Sequence, residues 1–131
     1  MNPFQLEKIR NHLLFTPNFW NFQLWTMILI SVKLALRSFE VCQLAFSDVV
    51  NSLTIVKGNV VEGICLKIYG KSDPRPIHLY LWNDDIHPQF CAVRHLLVWI
   101  ALTRIRLNQK SWIAILNQTI TLFTFFLPFM P

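Results

Sequence analysis

Hydrophobic positions recur three and four apart at the start of the chain: Phe4, Leu6, Ile9 and Leu13 frame the charged Glu7, Lys8 and Arg10. This spacing predicts a short amphipathic helix over residues 2–11, with Asn2 ahead of Pro3 as its N-cap. Thr16, Pro17 and Asn18 break the pattern. From Phe19 to Leu36 the chain is apolar for long enough to span a bilayer. However, Asn21, Gln23, Thr26, Ser31 and Lys33 are spread through the stretch, and the pattern runs past Arg37 and Glu40 without a stop. A central helix of a helical domain is the better reading. A further helix begins near Ser38, whose hydroxyl is the expected cap, carries Val41, Leu44 and Ala45 inward and ends around Ser47 and Asp48.

The period then shortens to two. Leu53–Val56, a Lys57-Gly58-Asn59 turn, Val60–Tyr69, a break at Gly70–Pro74 and Pro76–Trp82 read as three short strands. Ile64, Leu66 and Ile68 alternate with Cys65 and Lys67, and Ile77, Leu79 and Leu81 alternate with His78, Tyr80 and Trp82. Such alternation marks an antiparallel sheet with one face buried. After a polar turn at Asn83–Pro88, a helix opened by Pro88 or Cys91 runs through Ala101 or Thr103 and presents Val93, Leu96, Leu97 and Ile100 on one face. The predicted class is α+β, mainly helical with a small three-stranded antiparallel sheet.

Composition adds a tension to this picture. In 131 residues, 53% are hydrophobic and 15% charged, against about 25% charged in an ordinary soluble domain. The length fits one domain or part of one. Eleven Phe and five Trp exclude disorder, and three Gly exclude a repetitive spacer. The surplus of apolar residues implies a missing partner surface or contact with a membrane. The net charge is +5, and all seven acids lie at or before Asp85, so the excess of base is C-terminal, in Arg94, Arg104, Arg106 and Lys110. This permits contact with phosphates or anionic lipid without demanding either.

Cys42, Cys65 and Cys91 are an odd number, far apart and among apolar neighbours, and read as buried thiols rather than a disulfide framework or a zinc site. His78, His87 and His95 do not have metal-ligand spacing with Cys91, and no metal or cofactor is expected. No secretory signal opens the chain, which together with the reduced thiols favours an intracellular, non-secreted protein. Residues 111–131 carry no charge and hold four Phe. A tail anchor, a missing partner segment and an altered reading frame each account for that composition.

Two helices, a Leu-Arg-x-x-Glu segment, a three-stranded sheet with Gly-Lys in its second turn, and a following helix together form an order that resembles a known one. Residues 34–49, LALRSFEVCQLAFSDV, resemble the segment around the first catalytic arginine of the tyrosine recombinases, the phage integrase family, with a glutamate three residues on and an Asp-hydrophobic pair before the sheet. Residues 66–81, LKIYGKSDPRPIHLYL, are similar to the hairpin that presents the family's catalytic lysine. Residues 87–105, HPQFCAVRHLLVWIALTRI, are similar to the helix after the sheet in eukaryotic, mobile-element members, with Ala92 where a proline is common. The resemblance spans roughly residues 4–106 and implies residues 1–110 as the first half of the DNA breaking-rejoining catalytic domain, with 111–131 as a separate, hydrophobic tail.

In that family a tyrosine attacks a DNA phosphodiester, and the site neutralises an anionic phosphorane and protonates a leaving alkoxide. The resemblance implies that Arg37 is the first of two phosphate-clamping arginines, that Glu40 holds the helix or the arginine in place, and that Lys71 is the general acid. Lys67 and Arg75 would steady the DNA backbone without reading sequence. The alternatives stay open: Arg37 as a charged helix end paired with Glu40, and Lys71 as a solvated turn residue. The family also needs His-x-x-Arg and a late nucleophilic tyrosine. No His here is followed three residues on by Arg, and Tyr69 and Tyr80 fall in predicted strands. The expectation is therefore a DNA-binding protein of the recombination and integration type that cannot cut DNA by itself, with no separate core-binding domain ahead of it. The alternatives are a non-catalytic DNA or protein interaction module, with a protein partner on exposed apolar surface, and a small tail-anchored membrane protein.

Overall fold

The computed structural model describes residues 2–16, 18–56, 58–70 and 74–123, with the backbone alone for 51–56 and 59–62. Among the described residues five α-helices and three strands follow one another: α1 Pro3–Leu14, α2 Phe19–Leu34, α3 Ser38–Cys42, β1 Val49–Val56, β2 Asn59–Ile68, β3 Ile77–Trp82, α4 Ala92–Arg106 and α5 Trp112–Leu116. The class is α+β with a three-stranded antiparallel sheet in the order β1-β2-β3, as the two periods predict.

Local signals explain most boundaries. The Asn2 side chain accepts the Gln5 N–H at 2.8 Å and the Gln5 side chain accepts the Asn2 N–H at 3.3 Å, a reciprocal capping box at the start of α1. Asn18 caps α2 by accepting the Asn21 N–H at 2.9 Å. The helix ends at Leu34, two residues earlier than the apolar run suggests. Ala35 there adopts a left-handed conformation, φ 53°, and the Leu36 N–H returns to the Ser31 carbonyl at 3.0 Å.

Two of the polar residues of α2 are compatible with the core because they bond their own helix backbone. Thr26 Oγ1 donates to the Phe22 carbonyl at 2.9 Å and Ser31 Oγ to the Met27 carbonyl at 2.8 Å. Gln23 is fully buried, and its amide has no hydrogen-bond partner among the described residues.

The third helix departs from expectation. Its N-cap is Arg37 and not Ser38, no hydroxyl cap forms, and it closes after one turn at Cys42. Leu44 and Phe46 are both buried, at 2% and 0% exposure. Two residues apart, they would face nearly opposite sides of a helix, so the chain extends through Ala45 and turns again as a 3-10 helix over Phe46–Asp48. β1 consequently starts at Val49, four residues before the strand read from the pattern.

β1 and β2 pair from Val49↔Leu66 to Val56↔Asn59, and β2 and β3 from Gly63↔Trp82 to Ile68↔Ile77. Ile64, Leu66, Ile68 and Leu81 face the core, and α2 and α4 pack against β3. α4 continues three residues beyond Thr103, to Arg106, and adds a fully buried Trp99 to the face expected from Val93, Leu96 and Ile100. The Phe19 and Trp99 rings meet at 4.6 Å between α2 and α4.

The uncharged segment closes this core as far as it is described. Ile115, Leu122 and Phe123 are buried, and Trp99 Nε1 donates to the Leu122 carbonyl at 2.9 Å. Thr121 bridges Ala45, while Phe46 N–H reaches the Ile120 carbonyl at 3.1 Å and Ser47 N–H the Gln118 carbonyl at 2.9 Å. Residues 124–131 lie outside the described residues. Among the described residues, no helix is long and apolar enough to cross a membrane.

Candidate nucleic-acid interface

Arg37 stands where the chain leaves the α2 turn and enters α3. Its backbone N–H donates to Glu40 Oε1 at 2.9 Å, and its carbonyl accepts the Glu40 N–H at 3.0 Å and the Val41 N–H at 3.2 Å. Glu40 therefore fixes the first turn through the backbone of Arg37, which leaves the guanidinium side chain in solvent. Eight residues further on, Asp48 is buried, and its Oδ2 accepts the Ala45 N–H at 2.9 Å. That bond holds the turn that hands the chain to β1. The Asp-hydrophobic pair before the sheet thus has a local physical role.

Glu40, Gln43, Asp48, Lys67, Tyr69 and Thr121 line an open cavity of about 380 Å³ at the foot of α3. Lys67 enters it half-buried from β2, opposite His78 in the register. Among the described residues, Lys67 is the one cation lining the cavity, beside two carboxylates that each hold a backbone N–H. Arg37 and Arg75 do not line it. Arg37 is at the outer end of α3, and Arg75 is exposed just before β3. Lys71, expected to act as the general acid, lies outside the described residues, two positions beyond Tyr69. Of the five expected site residues, Glu40 and Lys67 are thus brought into one cavity, with Arg37 tied to it through the Glu40 cap.

Thr121 could not have been placed here from local signals, because its approach depends on the long-range bridge to Ala45. A second feature was legible as alternation but not as geometry. Tyr80 and Trp82 project on the same side of β3, half-exposed, with rings 5.7 Å apart and nearly parallel at 6°. A side chain at Gly63 would run into the Trp82 ring and the Leu81 carbonyl, so the glycine is what lets the indole lie across β2.

The connection from β3 to α4 is a hydrogen-bonded loop. Cys91 Sγ donates to Asn83 Oδ1 at 3.2 Å and accepts the Asp84 N–H at 3.2 Å. Arg94 meets Asp85 Oδ1 at 2.8 Å. The backbone N–H of His87, with help from that of Ile86 and the charge of Lys33, holds the Asp84 carboxyl below its ordinary range against some desolvation. His95 is stacked on Phe22 at 5.7 Å; burial lowers its pKa, partly offset by its bond to the Cys91 carbonyl at 2.8 Å. These contacts tie His95 and His87 to separate local partners, and no group of three or more His, Cys, Asp or Glu suited to a metal ion occurs among the described residues. Cys65 and Cys91 are buried free thiols, but Cys42 is exposed, contrary to expectation. It ends a one-turn helix whose inward position is taken by Val41.

Compared with protein-family models, with curated proteins and with solved structures, the chain gives no match.

Proposed function

We propose that this chain binds the phosphate backbone of DNA, with the element order of the first half of a tyrosine recombinase catalytic domain, and that it does not cleave DNA by itself. One observation carries the reading: Glu40 and Lys67 line one cavity, and Glu40 simultaneously fixes the turn that carries Arg37. An arginine whose backbone is fixed at a helix start can extend its solvent-exposed guanidinium to present two parallel donors to a phosphate. Lys67, set on a strand, adds a point charge with no base-reading geometry. Two carboxylates beside Lys67 reduce the field, so binding is weak and falls steeply with salt. The recombination or integration role, and the nuclear setting that a DNA ligand entails, follow from the family resemblance.

Strand cleavage needs more than this chain contains. It has no His-x-x-Arg, and its two tyrosines lie just after β2 and within β3. The test is titration of a duplex oligonucleotide at low salt, joined to a search for a covalent protein-DNA adduct. Weakened binding in Arg37→Ala and Lys67→Ala, with no adduct, is the expected outcome; unchanged binding in both variants, or a trapped phosphotyrosyl product, contradicts the reading.

A protein partner is a second reading with its own observation. Val49, Leu97, Ile100, Trp112 and Leu116 line an apolar hollow of about 370 Å³, and the nearby Ile105 and Ile113 are 72% and 71% exposed. Cross-linking that depends on Ile113 and not on Arg37 would favour it.

A further inference from the structure

The aromatic pair on β3 has no part in the reading just given. Tyr80 and Trp82 share one face of the sheet with His78, and the register places Lys67, Cys65 and Gly63 beside them on β2. Along the strand the three β3 side chains repeat every two residues, about 6.7 Å, a spacing close to that of successive nucleotides in an extended strand. Both rings stay exposed, at 49% and 43%, although burying either ring would be favourable.

The rings also form one side of a groove of about 560 Å³, with Lys33 and Leu34 of α2 and residues 83–86 as its other boundaries. That volume lies in the range of small-ligand sites, ~300–1,000 Å³. Both acids at this groove are engaged, Asp84 by two backbone N–H groups and Asp85, whose side chain is 75% exposed, by Arg94. Asp84 Oδ1 accepts the N–H groups of Ile86 and His87 at 3.1 and 3.0 Å. Asp85 Oδ1 takes the Arg94 guanidinium and the Asn83 amide, both at 2.8 Å. Lys33 of α2 lines the same groove as the rings, close enough to Asp84 to act on its carboxyl, and Lys67 lies at the other end of the β2–β3 face.

We propose that this face of β2 and β3 is a stacking platform for single-stranded nucleic acid. Bases lie against Tyr80 and Trp82, and Lys33 and Lys67 meet the phosphates on either side. Stacking on π-faces tolerates any base, so the platform binds without sequence preference. It extends the proposed DNA binding from backbone contact to an unpaired strand, and its aromatic contacts are independent of Arg37.

The test uses the full chain and a fluorescent 12-nucleotide oligothymidylate, with anisotropy read at low salt and a duplex of equal length titrated in parallel. Tyr80→Ala weakens oligothymidylate binding by roughly 5- to 100-fold, Tyr80→Phe stays within about twofold because the π-face is kept, and Lys33→Glu weakens it further. Tyr80 is an exposed edge-strand residue, and an unchanged far-ultraviolet circular dichroism spectrum verifies that the variant folds. Equal affinity of Tyr80→Ala and the unsubstituted chain, or no oligothymidylate binding at all, overturns the platform. If the duplex is still bound in that case, the backbone-binding reading stands. Oligothymidylate binding lost in Tyr80→Ala but unaffected by Arg37→Ala, with no duplex binding, supports the platform and removes the backbone reading.

Discussion

Replacing Leu122 by Ala removes the buried Cγ and both Cδ atoms from the most informative part of the core. Leu122 is fully buried, its carbonyl accepts the Trp99 indole N–H at 2.9 Å, and its N–H reaches the Leu44 carbonyl at 2.6 Å. Those backbone bonds survive the substitution, so the cost is the lost transfer energy plus the cavity left beside Trp99. For a buried leucine this amounts to about 2–5 kcal/mol. A whole domain is held by only ~5–15 kcal/mol, so the loss is a large share. At a few degrees per kcal/mol for a domain of this size, the melting temperature falls by about 10 °C.

Urea and thermal unfolding followed by circular dichroism measure this directly. Ile113→Ala is the matched control: Ile113 lies in the same uncharged segment but is 71% exposed, and its change stays within about 0.5 kcal/mol. A chain ending at Lys110 loses Ile115, Leu122 and Phe123 together and shows no cooperative transition. If Leu122→Ala unfolds like Ile113→Ala, or the shortened chain melts at the unsubstituted temperature, the segment is not part of the core and the reasoning fails. The consequence for the candidate site is direct, since Thr121 lines the cavity shared by Glu40 and Lys67.

Three further outcomes follow from the same contacts. A thiol reagent under native conditions modifies one cysteine, Cys42, and reaches Cys65 and Cys91 only after denaturation; rapid native labelling of all three contradicts the burial. Gly63→Ala pushes a methyl group into the Trp82 ring and the Leu81 carbonyl and costs about 1–3 kcal/mol, readable as a lower urea midpoint and a shifted tryptophan emission. The pKa of His95 is lowered from 6.5 by burial, so the unfolded chain binds the proton more readily. Stability is therefore full above about pH 6.5 and declines as the pH falls through the lowered folded value, and His95→Gln flattens that slope of urea midpoint against pH.

The period of the hydrophobic pattern carried the fold class because α4 and β2 each bury one regular face, through Val93, Leu96 and Ile100 and through Ile64, Leu66 and Ile68, although Ile77 at the start of β3 is exposed. The Asn2 cap was legible from its place ahead of Pro3, whereas the hydroxyl cap expected at Ser38 does not form. The pattern misled between Ser38 and Asp48. Leu44 and Phe46 are apolar at the two-residue spacing of extended chain and not of a helix face, and the extended turn that buries both is completed by the carbonyls of Gln118 and Ile120. That partner is more than seventy residues away and leaves no local trace. The same distance explains why a run of uncharged residues suggested a membrane or a missing partner: as far as Phe123, the surface against which it packs belongs to this chain. Within the site, Glu40 was legible as the residue one turn beyond Arg37, whereas the gathering of Glu40, Lys67 and Thr121 depends on strand register and the tail bridge together.

Salt dependence of duplex binding tests the central claim most directly. Each phosphate neutralised contributes about 0.9 to the slope of log affinity against log salt. Arg37→Ala and Lys67→Ala should each lower affinity and reduce that slope by about one, leaving the unfolding midpoint nearly unchanged for the exposed Arg37. Affinity and slope identical to those of the unsubstituted chain in both variants, or binding indifferent to salt, would contradict the claim that Arg37 and Lys67 bind the phosphate backbone.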